Sequence, residues 1–123
     1  MPGRRQRAER RGRWAEAAAA LYLQAKGYRI LARRVRTRVG EVDIVARHGD
    51  TLVFVEVKLR STLDSGHQAL HPAARQRIDA AARVLTPRYL GACTTTRIDA
   101  VLIRPWGWPQ HLIAAWRETG RWT

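Results

Sequence analysis

The sequence predicts a single α/β domain, and three observations carry that reading. An alanine-rich stretch from Trp14 to about Lys26 has high helix propensity. Two apolar, β-branched runs, Glu41–Arg47 and Thr51–Leu59, flank a Gly49-Asp50 pair of the kind that closes a two-residue hairpin. A second helical pattern opens at Pro72 and is followed by another strand-like run, Arg97–Arg104. The length of 123 residues suits one domain with a core of its own. Residues 1–13 read as a basic N-terminal arm and residues 14–123 as the domain.

The arm holds Arg4, Arg5, Arg7, Arg10, Arg11 and Arg13 against one acid, Glu9. It either lies along phosphates or is a solvated tail. In the first helix Trp14, Ala18, Leu21 and Ala25 form one apolar stripe, and Gly27 stands where a C-terminal glycine cap would. Glu16 falls on the other side, in line with Ala19, Ala20 and Leu23. That company would let it point inward, but helix geometry alone reads it as a surface charge favoured by the macrodipole. Tyr28–Arg36 is a strand of mixed polarity, suited to a sheet edge. After the hairpin, Leu63–Pro72 reads as a loop. The second helix then presents Arg75, Ile78, Ala82 and Leu85, and Pro87 ends or bends it. Pro105–Pro109 is a turn, and His111–Trp116 is a last short strand or helical turn. There is no internal repeat and no linker.

Charge is the dominant global feature. Lys and Arg total 23 against 10 acids, a net +13. Such a field draws polyanions, nucleic acid foremost. Base-composition drift explains why arginine is preferred, since only Lys26 and Lys58 are lysines, but it does not explain so few acids. No apolar run approaches the roughly 18 residues of a membrane span, so no membrane partner is expected. The lone cysteine, Cys93, excludes an internal disulfide and fits a reducing, cytoplasmic setting.

The hairpin makes a sharper statement. If Gly49 and Asp50 are the turn, Val45 faces Phe54, Asp43 faces Glu56 and Glu41 faces Lys58. All six side chains then project from one face. Opposed Cβ atoms in an antiparallel pair stand roughly 4.5–5.5 Å apart, so Asp43 and Glu56 repel each other. A one-residue shift of the turn would place them on opposite faces. Three arrangements relieve the repulsion: one carboxyl stays protonated, Lys58 bridges both, or a divalent metal binds between them. An ion pair between Glu41 and Lys58 at the sheet margin is the plain structural alternative. Lys58 itself asks for an explanation in a chain that otherwise writes arginine. An ammonium approaches a single oxygen compactly, where a guanidinium is a wide fork.

Asp43, twelve intervening residues and then Glu56-Val57-Lys58 resemble the D…ExK core of the restriction-endonuclease-like, or PD-(D/E)xK, nucleases. More of the chain resembles the YraN-like family of small predicted endonucleases within that superfamily. The matching pieces are Glu16…Ala19-Ala20…Leu23…Gly27-Tyr28-Arg29-Ile30-Leu31, Gly40–Ala46 and Leu52–Arg60. Tyr89-Leu90, Arg97–Val101 and His111–Trp116 follow in order. Ala15 stands where the family usually has glycine, and Arg75-Gln76-Arg77 replaces a lysine-containing stretch of the second helix. The resemblance implies a mixed β-sheet flanked by helices and a Mg²⁺- or Mn²⁺-dependent nuclease acting on nucleic acid, with DNA as the first expectation. It implies Asp43, Glu56 and the Val57 carbonyl as metal ligands, with Glu16 completing or extending the shell. Lys58 would position the attacking water or stabilise developing charge. Arg60, Arg77 and Gln76 are the expected phosphate contacts, and Glu41 a structural partner to Lys58 or Arg60. The alternative reading is a non-catalytic nucleic-acid-binding module on the same fold.

The remaining signals are weaker. His67 and His71 are four residues apart but border Pro72 and read as surface histidines. Arg97 and Asp99 read as a structural pair on an edge strand. The five tryptophans, Trp14, Trp106, Trp108, Trp116 and Trp122, could stack on bases, with packing on the sheet edge or against a second copy in a homodimer as the plainer use.

Overall fold

In a computed structural model that describes residues 4–60, 72–115 and 121–122, two helices sandwich a six-stranded mixed sheet. The chain order is α1 (Arg4–Ala25), β1 (Arg29–Arg36), β2 (Glu41–His48), β3 (Thr51–Leu59), α2 (Pro72–Tyr89), β4 (Thr95–Ile103), β5 (Gln110–Ile113) and β6 (Arg121–Trp122). The strands lie side by side in sequence order, and every neighbouring pair is antiparallel except β3 and β4. That parallel step requires a long crossover, which carries α2. This is the restriction-endonuclease-like α/β architecture that the sequence predicts. No helix is long and apolar enough to cross a membrane among the described residues.

Helix α1 starts at Arg4, so the arginine-rich stretch before Trp14 forms its first turns. It ends as foreseen at Gly27, whose φ of 91° only glycine adopts freely. The Tyr28 N–H bonds the Leu23 carbonyl and the Gly27 N–H that of Gln24, a double closure of the last turn. The buried face is Ala15, Glu16, Ala19, Ala20 and Leu23. The stripe of Trp14 and Leu21 points outward instead, at 53% and 68% exposure. Alanines win the inner face because they let the helix lie close on the sheet, against Ile44, Ala46, Val53 and Val55. Glu16 goes inside with them, which overturns its reading as a surface charge.

On the opposite face α2 packs Ile78, Ala81, Ala82 and Leu85 onto Val42, Val45, Leu52 and Phe54. The helix runs two residues past Pro87, which sits in its last turn. Strand β3 is buried on both faces from Leu52 to Val55, as its continuous apolar run demands. Strand β1 is an edge, as predicted. Strand β4 is not an edge, because β5 pairs with its far side. The 63–71 part of the expected loop, with His67 and His71, lies outside the described residues, as does Trp116.

Candidate active site

The hairpin register is the one the turn predicts. Val45 pairs with Phe54, Ile44 with Val55 and His48 with Thr51, while Gly49 has the left-handed φ of 60°. Registered pairing between β2 and β3 stops at Ile44/Val55. Beyond it β2 stays on β1 as far as Glu41/Arg36, and β3 stays on β4 as far as Leu59/Ile103. Asp43 and Glu56 therefore stand where the two strands part. The Asp43 carboxylate takes over a backbone role there, its Oδ2 accepting the Val57 N–H at 2.8 Å.

Asp43, Glu56 and Glu41 line a cavity of about 330 Å³ together with Arg77 and Ile78 of α2. Lys58 Nζ lies 2.8 Å from Glu56 Oε1, and both side chains are mostly buried. Burial, then the Glu56 charge, push the Asp43 carboxyl up to about 7, with Glu16 and Glu41 adding to the rise and the Val57 N–H opposing it. Glu16 is raised by its own burial, with Arg34 and Arg33 pulling the other way. Its Oε2 meets Arg34 Nε at 3.3 Å, while its Oε1 is buried with no hydrogen-bond partner among the described residues. The third acid, Glu41, pairs weakly with Arg36 at 3.8 Å, not with Lys58 or Arg60. The reason is the parting of the strands, which carries Glu41 away with β1.

Of the expected phosphate contacts, Arg77 reaches the carboxylate cavity. Gln76 is exposed beside it on α2. Arg60 turns its guanidinium onto the Leu59 carbonyl at 2.7 Å, and its N–H extends the β3–β4 pairing to Ile103. Among the described residues no three His, Cys, Asp or Glu side chains form a ready-made metal-binding group. The donor set nevertheless fits Mg²⁺, which takes one or two carboxylates and keeps several waters. Crowded like charges and the orphaned Glu16 oxygen are what such a cation would relieve.

A family model described as "Uncharacterised protein family UPF0102" matches residues 15–103. The chain belongs to UPF0102. A UPF0102 protein of Methylocella silvestris is 51% identical over 105 residues, covering 85% of each chain. One from Paramagnetospirillum magneticum is 50% identical with 91% of each covered, and one from Maricaulis maris 48% identical with 94% and 92% covered. The matched span of this UPF0102 protein contains Glu16, Asp43, Glu56 and Lys58 together.

Two residues that shape the site escape the sequence reading. Gly40 enters β2 so close to α2 that a Cβ there would stand 2.8 Å from the Arg77 carbonyl oxygen. The Thr37 hydroxyl, accepting the Val39 and Gly40 N–H groups, makes the turn before it, and a Thr-x-x-Gly pattern is the available signal. Arg34, which holds Glu16, has a φ of 54° that non-glycine residues seldom adopt in a strand; no sequence signal marks it. Across β3, centred on Asp99 of β4, is a buried network, also unforeseen in extent. Asp99 accepts from Arg97 at 2.8 and 2.9 Å, from His111 Nε2 at 2.8 Å and from the Ala114 N–H at 3.0 Å. Lys26 Nζ lies 2.6 Å from His111 Nδ1, and Arg97 also bonds the Tyr28 hydroxyl. Arg97 and Asp99 are the structural pair the sequence suggests, now at the centre of a larger cluster.

Proposed function

We propose that this protein is a metal-dependent nuclease that hydrolyses phosphodiester bonds in DNA or structured nucleic acid. The observation that carries the reading is the meeting of Asp43, Glu56 and Lys58 at the point where β2 and β3 part. Asp43 and Glu56, with the Val57 carbonyl, would hold Mg²⁺ or Mn²⁺, and Glu16 would extend the shell through its free Oε1. When bound, the cation supplies charge neutralisation at the scissile phosphate and acidifies a water. The Val57 N–H fixes the Asp43 carboxylate, so one ligand is oriented by the main chain itself. Lys58, beside Glu56, holds a water for attack or offsets charge developing on phosphate oxygens. Arg77 at the cavity wall neutralises a flanking phosphate.

The test is cleavage of single-stranded, duplex and branched DNA with Mg²⁺, Mn²⁺ or chelator. Glu56→Ala and Lys58→Ala each abolish cleavage while the fold, read by circular dichroism, persists. Cleavage that survives chelator, or no cleavage of any substrate by the folded protein, refutes the enzyme. Salt-sensitive nucleic-acid binding without metal dependence would then mark the chain as a binding module.

A further inference from the structure

The hairpin between β4 and β5 carries the two most exposed large apolar side chains among the described residues. Trp106 is 85% exposed and Trp108 79%. Neither packs on the sheet edge, the first of the two plainer uses the sequence suggests. Their backbone is held firmly. Pro105 and Pro109 bracket the segment and fix their own φ angles. Gly107 between the indoles has φ 114°, a conformation that side chains resist. Arg104 lies across the turn, its Nη2 donating to the Trp108 carbonyl at 3.3 Å and standing 3.5 Å from where a Gly107 Cβ would be. Two indoles are thus presented to solvent by a braced loop, so little conformational freedom is lost when something stacks on them.

The position of the loop says what that something is. Because β3 and β4 are parallel, Lys58 is level with Leu102 and Leu59 with Ile103. The Arg60 N–H bonds the Ile103 carbonyl at 3.0 Å and keeps the two chains together to that point. The tryptophan hairpin therefore leaves the sheet at the same end as Glu56 and Lys58. Trp106 is four residue steps on from Leu102, a reach of at most about 14 Å. At roughly 3.4 Å per stacked nucleotide that is about four nucleotides along a strand. Positive charge is near at hand, Arg104 bonding the Trp108 carbonyl and Arg60 standing at the end of the strand beside Ile103, in a chain of net charge +13. Aromatic faces set among arginines match a base-and-phosphate polymer better than an apolar protein surface.

A duplex hides its base faces within the stack, whereas an unpaired strand exposes them. We propose that Trp106 and Trp108 form a stacking platform for unpaired bases, so that the nucleic acid engaged beside the carboxylates is single-stranded or carries a single-stranded flank. The inference rests on the nuclease reading for its site but concerns binding, which is measurable without turnover.

The experiment uses the full chain in chelator and follows fluorescence anisotropy of a labelled single-stranded DNA, the same strand as RNA, its duplex, and an abasic strand of equal charge. The wild type prefers the single strands to the duplex, and its indole fluorescence is quenched on binding. With stacking worth about 5- to 150-fold per base, the double variant Trp106→Ala/Trp108→Ala binds single strands at least tenfold more weakly. Its duplex affinity changes less than threefold, and its salt dependence is unchanged because phosphate contacts remain. The wild type binds the abasic strand as weakly as the variant binds the ordinary one. The DNA and RNA arms assign the preferred sugar, and a preference for single strands in either supports the platform. Equal loss on single strand and duplex, or no loss on either, overturns it. So does sedimentation showing a wild-type dimer that the variant turns into a monomer, which would make the hairpin a surface for a second copy. Failure to cleave any substrate would refute the nuclease and leave this binding result standing. Active cleavage with no single-strand preference would refute the platform alone.

Discussion

Asp43→Asn separates the charge of the site from its shape. The Asp43 carboxyl titrates at about 7 in the folded chain, against an ordinary value of 3.8. Between those values the native state keeps a proton that the unfolded state has released, so this group makes stability fall as pH rises. Below the lower value the effect is absent, and above the upper one it is complete. Each pH unit between them is worth about 1.4 kcal/mol. Ionising Asp43 therefore costs the fold as much as about 4 kcal/mol at pH 8. Asparagine is neutral throughout, and its side-chain oxygen can still accept the Val57 N–H that Asp43 accepts at 2.8 Å. In chelator, urea unfolding should find variant and wild type alike near pH 4. By pH 8 the variant should be the more stable, by up to about 4 kcal/mol. Excess Mg²⁺ should then close most of that gap. A ligand at a hundred times its Kd adds roughly 2.7 kcal/mol to the chain that binds it, and only the wild type keeps both carboxylates. A variant no more stable than wild type at pH 8 in chelator, or one stabilised by Mg²⁺ to the same degree, would refute the clustering of charge at Asp43.

Three further perturbations probe the surroundings. Gly40→Ala sets a Cβ 2.8 Å from the Arg77 carbonyl oxygen, so β2 must shift off α2; chemical denaturation should show a loss of about 1–3 kcal/mol, with weaker Mg²⁺ binding because Asp43 is three residues on. Glu16→Gln removes the carboxylate that adds to the Asp43 rise, and calorimetry should find Mg²⁺ affinity down roughly 10-fold with the fold retained. Asp99→Ala leaves the buried His111 and the half-buried Arg97 without their shared acceptor, at about 3–5 kcal/mol in thermal or chemical unfolding. Burial by itself would raise the Asp99 carboxyl, but the bonds from His111, Arg97 and the Ala114 N–H hold it below the usual range. Its stabilisation is therefore full above the unfolded value and lost as pH falls through the native one, an acid-side slope that Asp99→Asn should lack.

The sequence resolves the hairpin better than anything else in the chain, because Gly49 fixes the register and the register fixes which charges meet. The helix faces are another matter. Alanine carries so little hydrophobic signal that Trp14 and Leu21 dominate any stripe drawn on α1, yet close packing on the sheet selects the small side of the helix. Glu16 follows the alanines inward for that reason, as its sequence neighbours hint and its charge conceals. Glu41 was legible as a neighbour of the site but not as a partner of Arg36, since nothing in a two-strand pattern reveals where the strands separate. The Asp99 cluster draws on the turn between α1 and β1, on β4 and on β5, so only tertiary structure could assemble it.

The parting of β2 and β3 explains how two acids come to face each other at all. Had the ladder continued past Ile44/Val55, Asp43 and Glu56 would be held at cross-strand distance with no other freedom, and the sheet would carry their repulsion in full. Separation frees the Val57 N–H from the strand partner it would otherwise meet, and the Asp43 carboxylate takes that bond, recovering part of what the ladder gives up. The same separation opens the cavity that Arg77 and Ile78 close from α2. Gly40 allows it, since only a residue without a Cβ lets β2 leave β3 and still touch the α2 backbone. Below about pH 7 the protein relieves the repulsion itself: Lys58 answers Glu56, Arg34 answers one oxygen of Glu16, and Asp43 keeps its proton. A chain with 21 arginines to choose from leaves its most crowded carboxylate without a cationic partner among the described residues, the arrangement expected where a dissociable cation is to bind.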